Sequence, residues 1–287
     1  MDIIKNLFYS LRPKQWVKNL FIFAALLFSL EFNNKTKIAE VFVGFGLFCV
    51  AASSVYLIND IVDRVRDREH PIKRFRPVAS GALPVSMAII VAILFILLAL
   101  IGGFLLQPVF ALIVAGYIIL NFLYSFWLKH IVIIDVLSIA CGFVLRVIGG
   151  AVIIAVPFSP WLIFCTFFLT LFLAISKRRN ELRLSEGRGS RSVLNSYSLA
   201  FIDQMNIIVL PLTLITYTFY TFSSEHSRLL MLTVPIVLYG LLRYMYVNER
   251  RPVDNDGPTD ALFADGHLQM TIILWIFVVI VILLYAR

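Results

Sequence analysis

The sequence predicts an all-α, polytopic membrane helical bundle of about nine transmembrane helices, with a single domain over 1–287 and an active site open to the cytoplasm. Three observations carry that expectation. Hydrophobic residues make up 60% of the 287 positions and charged residues only 15%, with a mean hydropathy of +0.90, which is too apolar for a water-soluble domain of this length. Apolar runs approaching or reaching the ~17–25 helical residues that cross a bilayer recur along the whole chain. The basic residues, finally, fall almost entirely into alternate loops.

The nine runs are 17–32, 38–58, 84–106, 109–127, 131–156, 161–176, 205–222, 229–247 and 268–285. The first is short and is expected to be tilted or partly re-entrant. Basic residues up to Lys18 precede it and no small-residue cleavage site follows, so it reads as part of the mature chain rather than as a secretory leader. With the amino terminus inside, the inner segments hold twenty of the 25 Lys and Arg, against four outside and Arg146 within a span. Lys and Arg are retained on the cytoplasmic side, so the chain is expected to be integral to the inner membrane, with its amino terminus cytoplasmic and its carboxyl terminus outside.

The net charge of +8 therefore describes a basic membrane face suited to anionic lipid or phosphorylated substrates, and nucleic acid is not an expected partner. Cys49, Cys141 and Cys165 all fall in apolar runs without metal-ligand spacing and read as small buried hydrophobes, with no disulfides. A homo-oligomer is compatible with such a bundle. Only the segments 59–83, 177–204 and 248–267 are long inner loops, and they hold most of the residues able to do chemistry. One equipped face argues for an enzyme and against a transporter gated on both sides.

The first of these loops is the most charged. Between Asn59 and Pro77 stand ten ionisable side chains and His70. Asp60, Asp63 and Asp67 sit at i, i+3 and i+7, so a helix continuing through them places three carboxylates on one face. That face suits a hard divalent cation such as Mg²⁺, which takes a few carboxylate oxygens together with water and substrate phosphate oxygens. Lys73, Arg74 and Arg76 just beyond are placed to hold those phosphates. The competing reading is a solvated face of local ion pairs, Asp60 with Arg64, Asp63 with Arg66 and Arg64 with Asp67. Against it, Asp63 and Asp67 form a like-charge i, i+4 pair that costs ~0.2–0.5 kcal/mol.

Elsewhere the polar residues fall into stripes. Lys14 and Lys18 lie one helical turn apart beside Trp16, and these residues read equally as headgroup anchors and, since Lys18 and Asn19 open an apolar run, as a site where Lys18 meets a bound phosphate. In the fifth run Asp135, Ser138, Gly142 and Arg146 share a helix face. A central Arg costs ~2.5–3.5 kcal/mol to insert, so Arg146 must face a cavity or a partner, and phosphate binding competes with a buried ion pair. Tyr117, Asn121, Tyr124 and Ser125 form another stripe, readable as pocket wall or as interhelical packing. After the sixth run, Lys177 and Arg178 precede Glu181, with Lys177 to Glu181 at ion-pair spacing. Asp254, Asp256 and Asp260 read equally as metal or ribose ligands and as a solvated turn.

The spacing Asn59-Asp60-x-x-Asp63-x-x-x-Asp67 within such a bundle resembles the UbiA superfamily of intramembrane prenyltransferases, over essentially the whole chain. Within it, Arg12-Pro-x-Gln-Trp-x-Lys18-Asn19, Asp67-Arg-Glu-His-Pro-x-Lys73-Arg-Phe-Arg-Pro77 and Lys177-Arg-x-x-Glu181 look like the decaprenyl-phosphate phosphoribosyltransferase branch. Members that consume a prenyl diphosphate typically carry a second aspartate-rich motif after the sixth span, whereas this chain has Lys177-Arg178-Arg179 there. The resemblance implies that Asn59, Asp60, Asp63 and Asp67 hold Mg²⁺ on the pyrophosphate of phosphoribosyl pyrophosphate. It also implies that Lys73, Arg74, Arg76, Lys177 and Arg178 cradle the phosphates of this donor and of a polyprenyl phosphate lipid acceptor. Two other activities are weighed beside it. Prenyl transfer from a diphosphate to an aromatic or other small acceptor would use the same metal site. A lipid-phosphate transporter is disfavoured, because clustered carboxylates repel a phosphate unless a metal intervenes.

Overall fold

The computed structural model describes residues 3–29, 31–157, 159–184, 192–223, 228–250 and 264–285, so Arg188, Arg191, Arg251, Asp254, Asp256 and Asp260 lie outside the described residues. The described residues are helical, and eight of their helices are long and apolar enough to cross a membrane. The chain divides into two compact units, Met1–Pro157 and Phe158–Arg287.

The first unit opens with α1 (Ile3–Ser10), followed by a 3-10 helix (Pro13–Phe23) and a short α2 (Ala24–Phe28). This is the first apolar run, and it is an irregular segment rather than a continuous α-helix. The sequence gives the reason for its reach: at ~2.0 Å rise per 3-10 residue and ~1.5 Å per α residue, the two pieces extend ~30 Å, close to the hydrocarbon thickness of a bilayer. Then come α3 (Lys35–Val62), α4 (Arg64–Glu69), α5 (Pro77–Ser80), α6 (Val85–Leu106), α7 (Pro108–Phe126) and α8 (Ile134–Ile153). The starts follow from capping chemistry. Asn34 Oδ1 accepts from the Thr36 and Lys37 amides at 3.1 and 3.2 Å, and Gln107 Oε1 accepts from the Phe110 amide at 3.0 Å ahead of Pro108.

Helices α3 and α8 are the inner pair, with 56% of their apolar windows buried, whereas α6 has 17% and turns its side chains outward. Ile22, Val41, Phe48, Phe110, Val114, Tyr117 and Ile154 form the core between them. Cys49 is buried in it, but Cys141 is exposed, which corrects the expectation that all three thiols are interior; burial follows the helix face, and Cys141 stands on the outer face of α8.

The second unit comprises α9 (Pro160–Leu184), α10 (Leu199–Phe222), α11 (Val234–Arg250) and α12 (Gly266–Tyr285). Arg179 fastens three of them at one end, with Nε 2.6 Å from Asp203 on α10 and Nη1 2.7 Å from Glu249 on α11. Trp275 Nε1 donates to Tyr217 Oη at 2.7 Å and so ties α12 to α10.

Candidate active site

The acidic segment does not continue as one helix. α3 ends at Val62, Asp63 takes φ −85° and ψ 1° as its cap, and α4 starts at Arg64. The premise that all three carboxylates share a face is therefore corrected, because the break at Asp63 resets the helical phase. Asp60 and Asp67 come together on one side, and Asp63 turns elsewhere.

Asp60 and Asp67 are 2% and 4% exposed. Arg76 Nη1 lies 2.7 Å from Asp67 Oδ2 and 3.3 Å from Asp60 Oδ1, so one guanidinium nitrogen bridges both acids. Arg12 Nη2 donates to the same Asp60 oxygen, and its guanidinium carbon stands 5.1 Å from the Tyr56 ring centroid. Arg12 holds this place from a left-handed backbone, φ 53° and ψ 59°, a conformation that costs a non-glycine residue ~1–2 kcal/mol. None of the local pairs Asp60 to Arg64, Asp63 to Arg66 or Arg64 to Asp67 forms among the described residues. The acids are instead neutralised by Arg12, Arg76 and Lys129 from other segments. A buried carboxylate without a partner is costly, so the burial of Asp60 and Asp67 and the convergence of these segments depend on one another.

Asp63 faces Lys129, whose Nζ lies 2.6 Å from its Oδ1. This pair lines a cavity of about 390 Å³ together with Arg66, Glu69, Ser125 and His130. The loop beyond α4 is organised by His70, whose Nδ1 accepts from the Ile72 and Lys73 amides at 3.2 and 3.3 Å. Arg68 Nε donates to Ala79 O at 2.8 Å and closes the same loop. Arg76 is thereby brought to the acids. Lys73 is half-buried, Arg74 is exposed with its guanidinium 4.8 Å from the Phe75 ring, and Asn59 is half-buried next to Asp60.

A second polar group lies in the interior. Arg146 is 5% exposed, and it donates from Nε to Asn19 Oδ1 at 2.7 Å, from Nη1 to Gly142 O at 2.7 Å and from Nη2 to Tyr117 Oη at 3.0 Å. Its partners are neutral, and its guanidinium carbon lies 4.6 to 5.9 Å from the rings of Tyr117, Phe143 and Phe48. Asp135 and Ser138 are buried on the same helix, as the stripe predicts. Asn121 Nδ2 donates to Tyr117 O within α7 at 2.8 Å, and Tyr124 is half-buried a turn further on. Lys18 is half-buried on the 3-10 helix. At three residues per turn it lines up with Gln15 and stands ~120° from Lys14, so the α-helical face expected for Lys14 and Lys18 does not exist.

Lys177 and Arg178 belong to the second unit. Arg178 Nη1 lies 2.7 Å from Glu181 Oε2, and Lys177 Nζ lies 3.8 Å from Oε1 of the same residue. Also in that unit, Arg243 donates to both carboxylate oxygens of Asp265 at 3.2 and 2.9 Å, and the Leu268 amide donates to Oδ1 at 2.9 Å. The Arg243 hydrogen bonds, reinforced by that amide, hold the Asp265 carboxyl down at about 2.

Two cations at the acids, Arg12 and Lys129, were not among the site residues expected from the sequence. Arg12 stands in the amino-terminal motif that carries the family resemblance, and Lys129 is a single cation in a short loop. The available signal for Lys129 was its isolation as the one basic Lys or Arg between two long apolar runs.

Among the described residues, no three Asp, Glu, His or Cys side chains gather to hold a metal by themselves. Asp60 and Asp67, both buried, nevertheless direct hard oxygens at one cationic point, which fits an ion that takes one or two carboxylates and completes its shell with substrate phosphate and water.

The fold is a polytopic membrane helical bundle with ion-paired acids buried at the end of an inner helix, and comparison with known proteins assigns its class. Residues 20–264 match the model of the UbiA prenyltransferase family, and the chain belongs to that family. It is 33% identical to decaprenyl-phosphate phosphoribosyltransferase of Mycolicibacterium smegmatis, over 96% of this chain and 91% of that protein. It is 34% identical to the Corynebacterium glutamicum enzyme of the same name, over 97% and 87%. The fold matches a UbiA homolog from Archaeoglobus fulgidus solved with GPP and Mg²⁺, with a TM-score of 0.77 at 19% identity over 97% of this chain and 99% of that one. The protein is thus an integral membrane transferase.

Proposed function

We propose that this chain transfers 5-phosphoribose from phosphoribosyl pyrophosphate to a polyprenyl phosphate, releasing pyrophosphate, at a site open to the cytoplasm. The observation that carries the reading is the meeting of Asp60 and Asp67 with Arg12 and Arg76, in a chain about one-third identical along its length to decaprenyl-phosphate phosphoribosyltransferases. Asp60 and Asp67, with Asn59 next to Asp60 in the chain, would hold Mg²⁺, whereas Asp63 pairs with Lys129 apart from them. When bound the ion would neutralise charge on the departing diphosphate.

The remaining steps belong to the chain's own groups. Arg12, Arg76 and Lys129 are positioned to exchange carboxylate partners for phosphate oxygens, a substitution guanidinium and ammonium groups make readily. Lys73 and Arg74 lie on the same loop and extend the basic surface outward. A lipid phosphate oxygen attacks the anomeric carbon, its bond to pyrophosphate breaks, and the pyrophosphate leaves with both electrons. No protein base is needed, because the nucleophile is already an anion, so the protein's work is positioning and electrostatic stabilisation.

The test is to incubate purified protein with Mg²⁺, phosphoribosyl pyrophosphate and decaprenyl phosphate. Pyrophosphate release with a lipid-linked phosphoribose is expected. Turnover of a polyprenyl diphosphate with an aromatic acceptor, and none of the sugar donor, would overturn it.

A further inference from the structure

The 3-10 helix that carries Arg12 is unusually long. 3-10 runs beyond three or four residues are uncommon, because their hydrogen bonds are poorly aligned, yet this one spans Pro13–Phe23 and starts from a strained Arg12. Something outside the segment must impose it.

The side chains show what does. At three residues per turn, Trp16, Asn19 and Ile22 are eclipsed along one line. Trp16 Nε1 donates to Ser53 Oγ at 3.1 Å, and Asn19 Nδ2 donates to Cys49 Sγ at 3.2 Å. Cys49 and Ser53 are one turn apart on α3. A three-residue 3-10 step and a four-residue α step both advance ~6 Å, so the two antiparallel elements stay in register. An α-helical version of the run would set Trp16 and Asn19 ~60° out of line and only ~4.5 Å apart along the axis, ~1.5 Å short of the step between Cys49 and Ser53. The central point of the line is Asn19, 0% exposed, and its Oδ1 accepts from Arg146 Nε at 2.7 Å. Arg146 is itself fixed by Gly142 O and Tyr117 Oη.

The geometry points to Arg146 as a positioning residue: it latches Asn19 and so holds the 3-10 register that delivers Arg12 to Asp60. This rests on the reading of Asp60 as part of the donor site, and it gives Arg146 a role other than touching phosphate. The lever is sensitive. Were the run from Asn19 back to Pro13 to relax to α-helix, its start would withdraw ~3 Å and swing ~120° about the axis, carrying Arg12 with it.

The test uses the full-length protein in lipid nanodiscs. Hydrogen exchange over 13–23 and steady-state kinetics are measured for Asn19→Ala, Arg146→Met and Asn19→Asp, the last of which keeps an oxygen for Arg146 Nε. Asn19→Ala and Arg146→Met should each speed exchange across the segment and lower kcat roughly 10²-fold with KM unchanged, and the double variant should be no worse than either. Asn19→Asp keeps the oxygen for Arg146 Nε but loses the Nδ2 donor to Cys49 Sγ, so it should recover slow exchange and kcat in part, and exchange as fast as in Asn19→Ala would overturn the role of Arg146. A raised KM with unchanged exchange in Arg146→Met would overturn the proposal in favour of direct substrate contact, and so would wild-type exchange in Asn19→Ala. Should Arg146→Met fail to fold, the two Asn19 variants still decide. The exchange arm involves no substrate, so a different donor or acceptor would alter only the kinetic arm.

Discussion

Lys129 Nζ lies 2.6 Å from Asp63 Oδ1, joining the short loop after α7 to the break between α3 and α4. The pair separates Asp63 from Asp60 and Asp67, which share Arg76. The acidic segment thus presents two charge-balanced groups rather than one row of carboxylates. On the proposed function, each group would release a cation to an incoming phosphate while its acids remain beside the substrate.

Lys129→Met is the direct test of the first group. It removes the partner of Asp63 and a cation that lines the cavity beside α4. Loss of a preorganised charge at a site of developing anionic charge typically costs ~10²–10³-fold in rate, so kcat should fall by about 10²-fold. Lys129→Arg should recover part of it. Wild-type turnover in Lys129→Met would remove this pair from the site.

Arg76 sets a different expectation, readable without substrate. In Arg76→Met, Asp60 and Asp67 lose the nitrogen they share, and breaking a buried ion pair by deleting one partner costs about 3–5 kcal/mol. A divalent cation should repair the loss. Thermal unfolding in detergent should show a lowered Tm for the variant and a larger Tm rise on adding Mg²⁺ than wild type gives. Equal Mg²⁺ shifts in both proteins would count against a cation site at these two acids.

Asp265 supplies a pH dependence with a defined sign. Its carboxyl is held down at about 2 in the folded protein by Arg243 and the Leu268 amide, against 3.8 as the ordinary value. A depressed carboxyl favours the folded state wherever it is ionised. The contribution is therefore complete above about pH 4 and disappears as pH falls through about 2. The Tm of Asp265→Asn should lie below wild type by a constant margin from pH 5 to 7, and the two curves should converge toward pH 2. A margin that persists at pH 2 would assign the loss to helix capping alone.

Much of this architecture is legible in the sequence, and the failures have common causes. Hydropathy placed eight long helices, because a lipid-spanning helix needs only composition and length, but α9 runs eight residues past its expected end and α10 starts six before its expected start, where the helices continue through polar and charged residues that hydropathy does not count. The acid run announced the site by its charge density. Local periodicity could not show that α3 stops at Val62, since Asp63 and Arg64 are acceptable helical residues and the break is fixed by tertiary ion pairs. For the same reason Arg12 and Lys129 escaped notice: their acids are 48 and 66 positions away, and spacing rules reach about one turn. The first apolar run failed as an α-helix because its polar anchors repeat every three residues, a signal readable only once α3 and α8 are known to lie beside it.

The close approach of that run to α8 yields a last prediction, in which two glycines respond with opposite signs. A Cβ built on Gly150 would stand 1.9 Å from Ile22 O and 2.9 Å from Ile22 C, both backbone atoms that cannot turn aside. Gly150→Ala should therefore push the 3-10 segment off α8, at the upper end of the ~1–3 kcal/mol typical of overpacking. Gly116 on α7 has nothing within 4 Å of the same construction, so Gly116→Ala meets no clash and should gain the ~1 kcal/mol by which alanine exceeds glycine in a helix interior. Thermal unfolding of both variants in one detergent checks the pair. Because the Gly150 clash falls on the backbone between Asn19 and α2, it should also speed hydrogen exchange over 13–23, whereas Gly116→Ala should leave that exchange as it is. A Gly150→Ala protein as stable as wild type would mean that Ile22 and α8 are not in the contact described, and the register argument for Arg12 would lose its anchor at that end.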